Sequence, residues 1–166
     1  MKTLLLVRHA KSSWDHADLI DLERPLNERG LQDARVMASR LVKTLLVPDL
    51  LLSSPALRAR RTAEIFAHAY RRKKKEVQIE PELYQAEPEA FLAVISRLAP
   101  GLETVFLFAH NPGITEFANQ LTEVQVDDMP TCSYFGIRFP EGPWSSFSSG
   151  TKEFLCFDFP KSRLTP

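Results

Sequence analysis

Three short apolar runs, each cut off by a polar cluster, constrain this chain more than any other feature. Residues 3–7, 49–52 and 104–108 are almost uninterrupted apolar stretches, of the length expected for strands covered on both faces. Arg8-His9 follows the first run. Ser53-Ser54-Pro55, with Arg58 close behind, follows the second, and His110-Asn111-Pro112-Gly113 follows the third.

Between the runs the apolar spacing changes to threes and fours. Asn27 predicts a helix cap, and Leu31, Ala34, Met37, Ala38, Leu41 and Leu45 predict one apolar face of a helix that Pro48 closes. Ser54-Pro55 predicts a second helix, with serine at the cap and proline in the first turn, running to about Tyr70. Pro88 opens a third helix through Leu98, and Asn111-Pro112 repeats the cap-and-proline signal for a fourth reaching about Leu121. Shorter strands are expected at 77–79, 133–139 and 152–159, the last two joined by a loop at 140–151 rich in Gly, Pro and Ser. Strands alternating with helices predict one α/β domain over residues 1–166, a three-layer α/β/α sandwich with a mainly parallel central sheet.

Lys plus Arg and Asp plus Glu balance at 21 each, so no whole-molecule field draws nucleic acid or an anionic membrane. The expectation is no nucleic-acid and no membrane partner, and any bound anion must be held by a local cluster. The run at 4–7 is too short for a membrane span or a secretory core, which gives a cytoplasmic expectation, and the chain is expected to be a monomer. Cys132 and Cys156 lack metal-ligand spacing and read as buried thiols rather than a disulfide.

In open α/β sheets, ligands bind where loops leave the carboxyl ends of the strands. The three clusters therefore bring two histidines and two arginines to one crevice, with helix N-termini beside them. That set suits a phosphoryl group: arginine grips its oxygens bidentately, and a neutral imidazole is a nucleophile near pH 7. No acidic cluster accompanies these loops to hold a metal, and no Gly-rich Walker loop is present, so neither metal nor cofactor is expected. A histidine nucleophile is then the natural route to phosphoryl cleavage.

The ordered motifs resemble the histidine phosphatase superfamily. Leu6-Val7-Arg8-His9-Ala10 is similar to its Arg-His-Gly signature, residues 53–63 to its Ser-Pro-x-x-Arg-Ala-x-Gln-Thr-Ala motif, and residues 108–113 to its second-histidine motif. Arg24-Pro25-Leu26-Asn27-x-x-Gly30 and Leu83-Tyr84-x-Ala86 resemble the SixA-like phosphohistidine phosphatases within it, and the match spans about residues 3–121. The resemblance implies that His9 carries the transient phosphoryl group, with Arg8, Arg58 and His110 around its oxygens. It also implies a phosphate contact for Arg24, whose alternative is a salt bridge to Asp21 or Glu23. Ser12 and Asn111 join the set as substrate-binding candidates, and Trp14 with Ser12-Ser13 as an entrance. Two departures stand out: Ala10 replaces a glycine, raising the question of a positive φ, and Arg61 replaces a glutamine.

Larger members use a carboxylate to protonate the leaving alkoxide, and Gln85 occupies that place here. Glutamine supplies no proton, which favours phosphohistidine, a good leaving group, over alkyl phosphates unless Glu82, Glu87 or Glu89 takes the role. The expected partner is a phosphohistidine-containing protein, or otherwise a small phosphorylated substrate. The alternatives are a general small-molecule phosphomonoesterase and a non-catalytic phosphoprotein-binding module. His16, His68 and the basic run 71–75 read as structural or solvated, while Trp144 and Phe147 are candidate caps for the pocket.

Overall fold

In a computed structural model, residues 1–140 and 142–163 are described; the loop expected at 140–151 and the domain at 1–166 thus each include positions outside them. Ten helices and strands organise this region: β1 (Lys2–Arg8), α1 (Glu28–Val42), β2 (Leu50–Ser53), α2 (Leu57–Ala69), β3 (Val77–Ile79), α3 (Pro88–Ser96), β4 (Thr104–Ala109), α4 (Gly113–Leu121), β5 (Tyr134–Phe139) and β6 (Glu153–Asp158). They build one six-stranded sheet in the order β3-β2-β4-β1-β5-β6. β3, β2, β4 and β1 run parallel, while β5 and β6 add antiparallel strands beyond β1.

The alternation of side chains along each strand decides which helices it touches. Leu5 and Val7 of β1, with Phe106 and Phe108 of β4, face a core that contains Ala34, Met37, Ala38 and Leu41 of α1 and Ala63 and Phe66 of α2. Leu4, Leu6, Val105 and Leu107 point the other way, onto Phe91 and Ile95 of α3 and Ile114 and Phe117 of α4. The result is the expected three-layer sandwich. Leu4, Leu5 and Leu6 are wholly buried, each contributing about 2 kcal/mol from its apolar surface.

Three local expectations are corrected. Ser54 does not cap α2: the helix starts at Leu57, and the Ser54 hydroxyl instead accepts from the Ala56 N–H and pairs with His110. Asn111 does not cap α4 either, because its amide is drawn to the segment at 126–130. The first helix ends at Val42, since Leu45 adopts φ +67° in the turn that follows. Asn27 does cap α1, accepting from the Gly30 N–H at 2.8 Å.

Trp144 and Phe147 are fully buried and do not cap the pocket. The Trp144 indole donates to the Leu102 carbonyl, just ahead of the N-terminal end of β4, the opposite end of the sheet from the His9 cluster. Both cysteines are free, Cys132 buried and Cys156 half-buried.

Candidate active site

Strand register alone brings the two histidines together. Arg8 stands opposite Ala109 in the β1–β4 pairing, so the next residues on each strand, His9 and His110, leave the sheet at the same height. Their rings lie 5.2 Å apart between centroids. β2 flanks β4 on its other side, with Ser53 opposite Phe108, and this sets Ser54 beside His110 at 2.7 Å from Nε2. Arg58 follows in the first turn of α2. Thr62 fastens that helix to the loop after β1, donating to the Arg58 carbonyl and accepting from the Ala10 N–H.

Two motif glycines are needed for close packing rather than for unusual dihedrals. A Cβ on Gly30 would stand 2.1 Å from the Lys11 carbonyl oxygen, in the loop that carries His9. One on Gly113 would stand 1.8 Å from the Ala86 carbonyl oxygen, so α4 and the segment bearing Tyr84 meet backbone to backbone. Ala10 is fully buried and is not among the positive-φ residues, which removes the question its substitution raised.

The His9 ring is set by one bond. Its Nδ1 lies 2.7 Å from the Ala10 carbonyl, a group that only accepts, so Nδ1 carries the proton and Nε2 keeps its lone pair. Burial, with His110, Arg58 and Arg8 nearby and the Ala10 bond opposing them, lowers the pKa of His9 to about 3. Burial and the charge of Arg58 lower His110 likewise to about 3. Both rings are therefore neutral at physiological pH.

The cluster also holds buried polar atoms with no partner. Arg8 Nε, Arg58 Nε and His110 Nδ1 are buried without a hydrogen-bond partner, although each guanidinium is anchored through its terminal nitrogens. Arg8 Nη1 donates to the Met129 carbonyl at 2.7 Å, and Arg58 Nη1 to the Asp21 carbonyl at 2.8 Å. Unsatisfied buried donors of this kind call for an anion. Among the described residues no group of three or more His, Cys, Asp or Glu is placed to hold a metal ion.

Asp21 joins Arg58, Arg24 and Tyr84 in a link that the sequence does not reveal. Its carboxylate accepts from Arg58 Nη2 at 3.0 Å, Arg24 Nε at 3.2 Å and the Tyr84 hydroxyl at 2.6 Å. Partial burial alone raises its pKa, but Tyr84, Arg58 and Arg24 outweigh that and hold it at about 2. Tyr84 in turn is raised by its bond to Asp21 and packs edge-on against His110. The sequence suggests position 21 only as a salt-bridge partner of Arg24; no local pattern links it to an arginine on α2.

The remaining candidates are accounted for. Arg24 is buried, makes the salt bridge to Asp21, donates to Ser12 Oγ at 2.6 Å and stacks under the exposed Trp14 ring at 3.7 Å. Ser12 is thereby engaged in orienting Arg24. Asn111 donates to Asp128 and the Met129 carbonyl and accepts from Thr115, so it ties down the β4–α4 turn. Gln85 is exposed at φ +52°, and Glu82 pairs outward with Arg97. His16 and His68 are exposed.

With this geometry in place, comparison with known proteins is direct. Residues 4–91 match the profile of the histidine phosphatase superfamily (branch 1). An uncharacterised chloroplastic protein of Arabidopsis thaliana is 32% identical over 140 residues, which is 80% of this chain; the chain spans 64% of that relative's length. Among solved structures, a putative phosphohistidine phosphatase SixA from Agrobacterium tumefaciens superposes with a TM-score of 0.77 at 23% identity, covering 99% of this chain and 98% of the other. A mycobacterial glucosyl-3-phosphoglycerate phosphatase gives 0.69 at 16% identity, covering 92% and 96%. These structural likenesses concern the fold.

Proposed function

The chain belongs to the histidine phosphatase superfamily, and on that premise we propose that it removes phosphoryl groups from phosphohistidine in proteins by way of a phosphoryl intermediate on His9. One observation carries the reading: His9 presents an unprotonated Nε2 beside the unpartnered buried Nε donors of Arg8 and Arg58 and the unpartnered Nδ1 of His110. In the first step the Nε2 lone pair attacks phosphorus, the substrate's N–P bond breaks, and its electron pair leaves on the departing imidazole. In the second, water attacks phosphorus, the His9–phosphorus bond breaks, and inorganic phosphate leaves, with His110 the nearest group to take the water's proton. The arginine donors stabilise the equatorial oxygens through both steps.

What favours this substrate class is that, among the described residues, Gln85 stands where larger members carry the acid, and Glu82, Glu87 and Glu89 are all exposed. Asp21, the carboxylate bound to Arg58, is held ionised with a pKa of about 2, and Glu82 faces Arg97. An alkoxide leaving group needs a proton; a histidine nitrogen exchanging with a histidine nitrogen needs far less help. Arg24 is read as a further donor at the rim, held in place by Ser12 and Asp21, with residues 1–166 acting as one catalytic domain.

The test is phosphate release from a phosphohistidine peptide and a phosphoserine peptide, for the native protein and for Gln85→Glu. The expectation is fast release from phosphohistidine alone, and a gain in phosphoserine turnover in the variant. Comparable release of both by the native protein would replace this reading with that of a general phosphomonoesterase.

A further inference from the structure

A second feature lies away from His9. A groove of about 960 Å³ runs between α1 and α2 and on to the turn after α2. Its rim carries Arg35 on α1, Arg61 on α2, and Arg72, Lys73 and Lys74 on the turn, against the single carboxylate Glu64. Glu64 approaches Arg61 only to 3.9 Å. Arg35, Lys73 and Lys74 are exposed, and among the described residues their side chains enter no ion pair. The floor is apolar, formed by Ala38, Val42, Ile65 and Ala69. In a chain of zero net charge this is a strong local excess of one sign. It also gives a common place to Arg61 and to most of the basic run at 71–75.

The groove is connected to the catalytic crevice by α2 itself. Arg61 lies three residues beyond Arg58, a rise of about 4.5 Å, and the helix runs on for about two more turns to Ala69 before the turn that carries Arg72. A protein whose phosphohistidine enters the crevice thus has a basic, apolar-floored track beginning one turn below it.

We propose that this groove docks an acidic amphipathic segment of the phosphohistidine-bearing protein, with carboxylates on the rim and apolar side chains on the floor. The proposal rests on the reading of the site given above and names the partner chemistry that reading leaves open. Nucleic acid fits less well. Among the described residues no Phe, Tyr or Trp lines the groove to stack a base, and the apolar floor offers nothing to a phosphate backbone. The cations are also spread along two helices and a turn rather than converging on one point, which suits an elongated partner over a small anion.

The probe is a synthetic peptide with one phosphohistidine followed by a glutamate-bearing amphipathic helix, beside its counterpart with glutamine for every glutamate. The native protein is expected to turn over the acidic peptide with kcat/KM about tenfold higher at low salt, through KM, and to lose that preference at high salt. The double variant Arg35→Glu, Lys74→Glu is expected to abolish the preference while free phosphohistidine is hydrolysed at the native rate. Equal kcat/KM for the two peptides in the native protein, or an undiminished preference in the variant, would overturn the proposal. So would displacement of the unphosphorylated acidic peptide, followed by fluorescence anisotropy, more strongly by oligothymidylate than by the unlabelled peptide. Failure to release phosphate from either peptide would instead sink the catalytic reading, and the anisotropy measurement would still read the groove by itself.

Discussion

Acidification should unfold this protein through the same two rings that make its chemistry possible. His9 and His110 are each less than a tenth exposed and titrate near pH 3 in the folded state. An unfolded chain gives each an ordinary value of about 6.5. The folded values are lowered, so between these limits the unfolded state binds protons that the folded state refuses. Stability is therefore complete above about pH 6.5 and declines as the pH falls toward 3. At about pH 5 the gap from 6.5 is one and a half pH units, worth about 2 kcal/mol for each ring and about 4 kcal/mol for the pair. That figure depends only on the folded value lying well below 5. It is a large part of the roughly 5–15 kcal/mol that holds a domain together. Urea unfolding at about pH 7.5 and about pH 5, followed by tryptophan fluorescence and circular dichroism, should show this loss with an unchanged m-value. His110→Asn should halve the loss between the two pH values, whatever it does to stability at neutral pH. A change of less than about 1 kcal/mol in the native protein would mean that the rings are charged or hydrated in the fold, and the argument for a neutral nucleophile would fall with it.

Asp21→Asn keeps the shape of the Arg58–Asp21–Arg24 link and removes its charge. The carboxylate is 42% exposed, so the stability cost is expected to be only about 1 kcal/mol, a few degrees in Tm. Arg58 keeps its bond to the Asp21 carbonyl but loses its charged partner, and kcat/KM should fall about tenfold, the worth of a charge-assisted hydrogen bond. Because the pKa of Asp21 is depressed to about 2, its contribution is present above about pH 3.8 and is lost as the pH falls toward 2, where native and variant stabilities should converge. Gly113→Ala places a methyl group 1.8 Å from the Ala86 carbonyl oxygen, and thermal or urea unfolding should report a loss of more than about 2 kcal/mol. An unchanged midpoint would show that the α4–Ala86 contact yields easily.

The strands and the four central side chains were legible in the sequence because their signals are local. A buried parallel strand is a short apolar run, and the residue that ends it is where the chain meets solvent and ligand. The Asp21 link was not legible, since its partners Arg24, Arg58 and Tyr84 come from separate segments and only the first is near in sequence. Ser54 and Asn111 carried good cap signals, but tertiary partners outbid the local helix for their side chains: His110 for one, and Asp128 with Met129 for the other. Trp144 and Phe147 advertised burial without direction, and the fold placed them under the far end of the sheet. Gly30 and Gly113 could be seen as motif residues, but the backbone atoms that forbid a Cβ there belong to distant loops.

The most direct test of the central claim is to trap the intermediate. The protein is mixed for milliseconds with a phosphohistidine peptide, quenched in alkali, where phosphohistidine survives, and digested for mass spectrometry. The account predicts a phosphoryl group on His9 and none in His9→Ala, which should also lose turnover. A phosphoryl group on another residue, or continued turnover by His9→Ala, would contradict it.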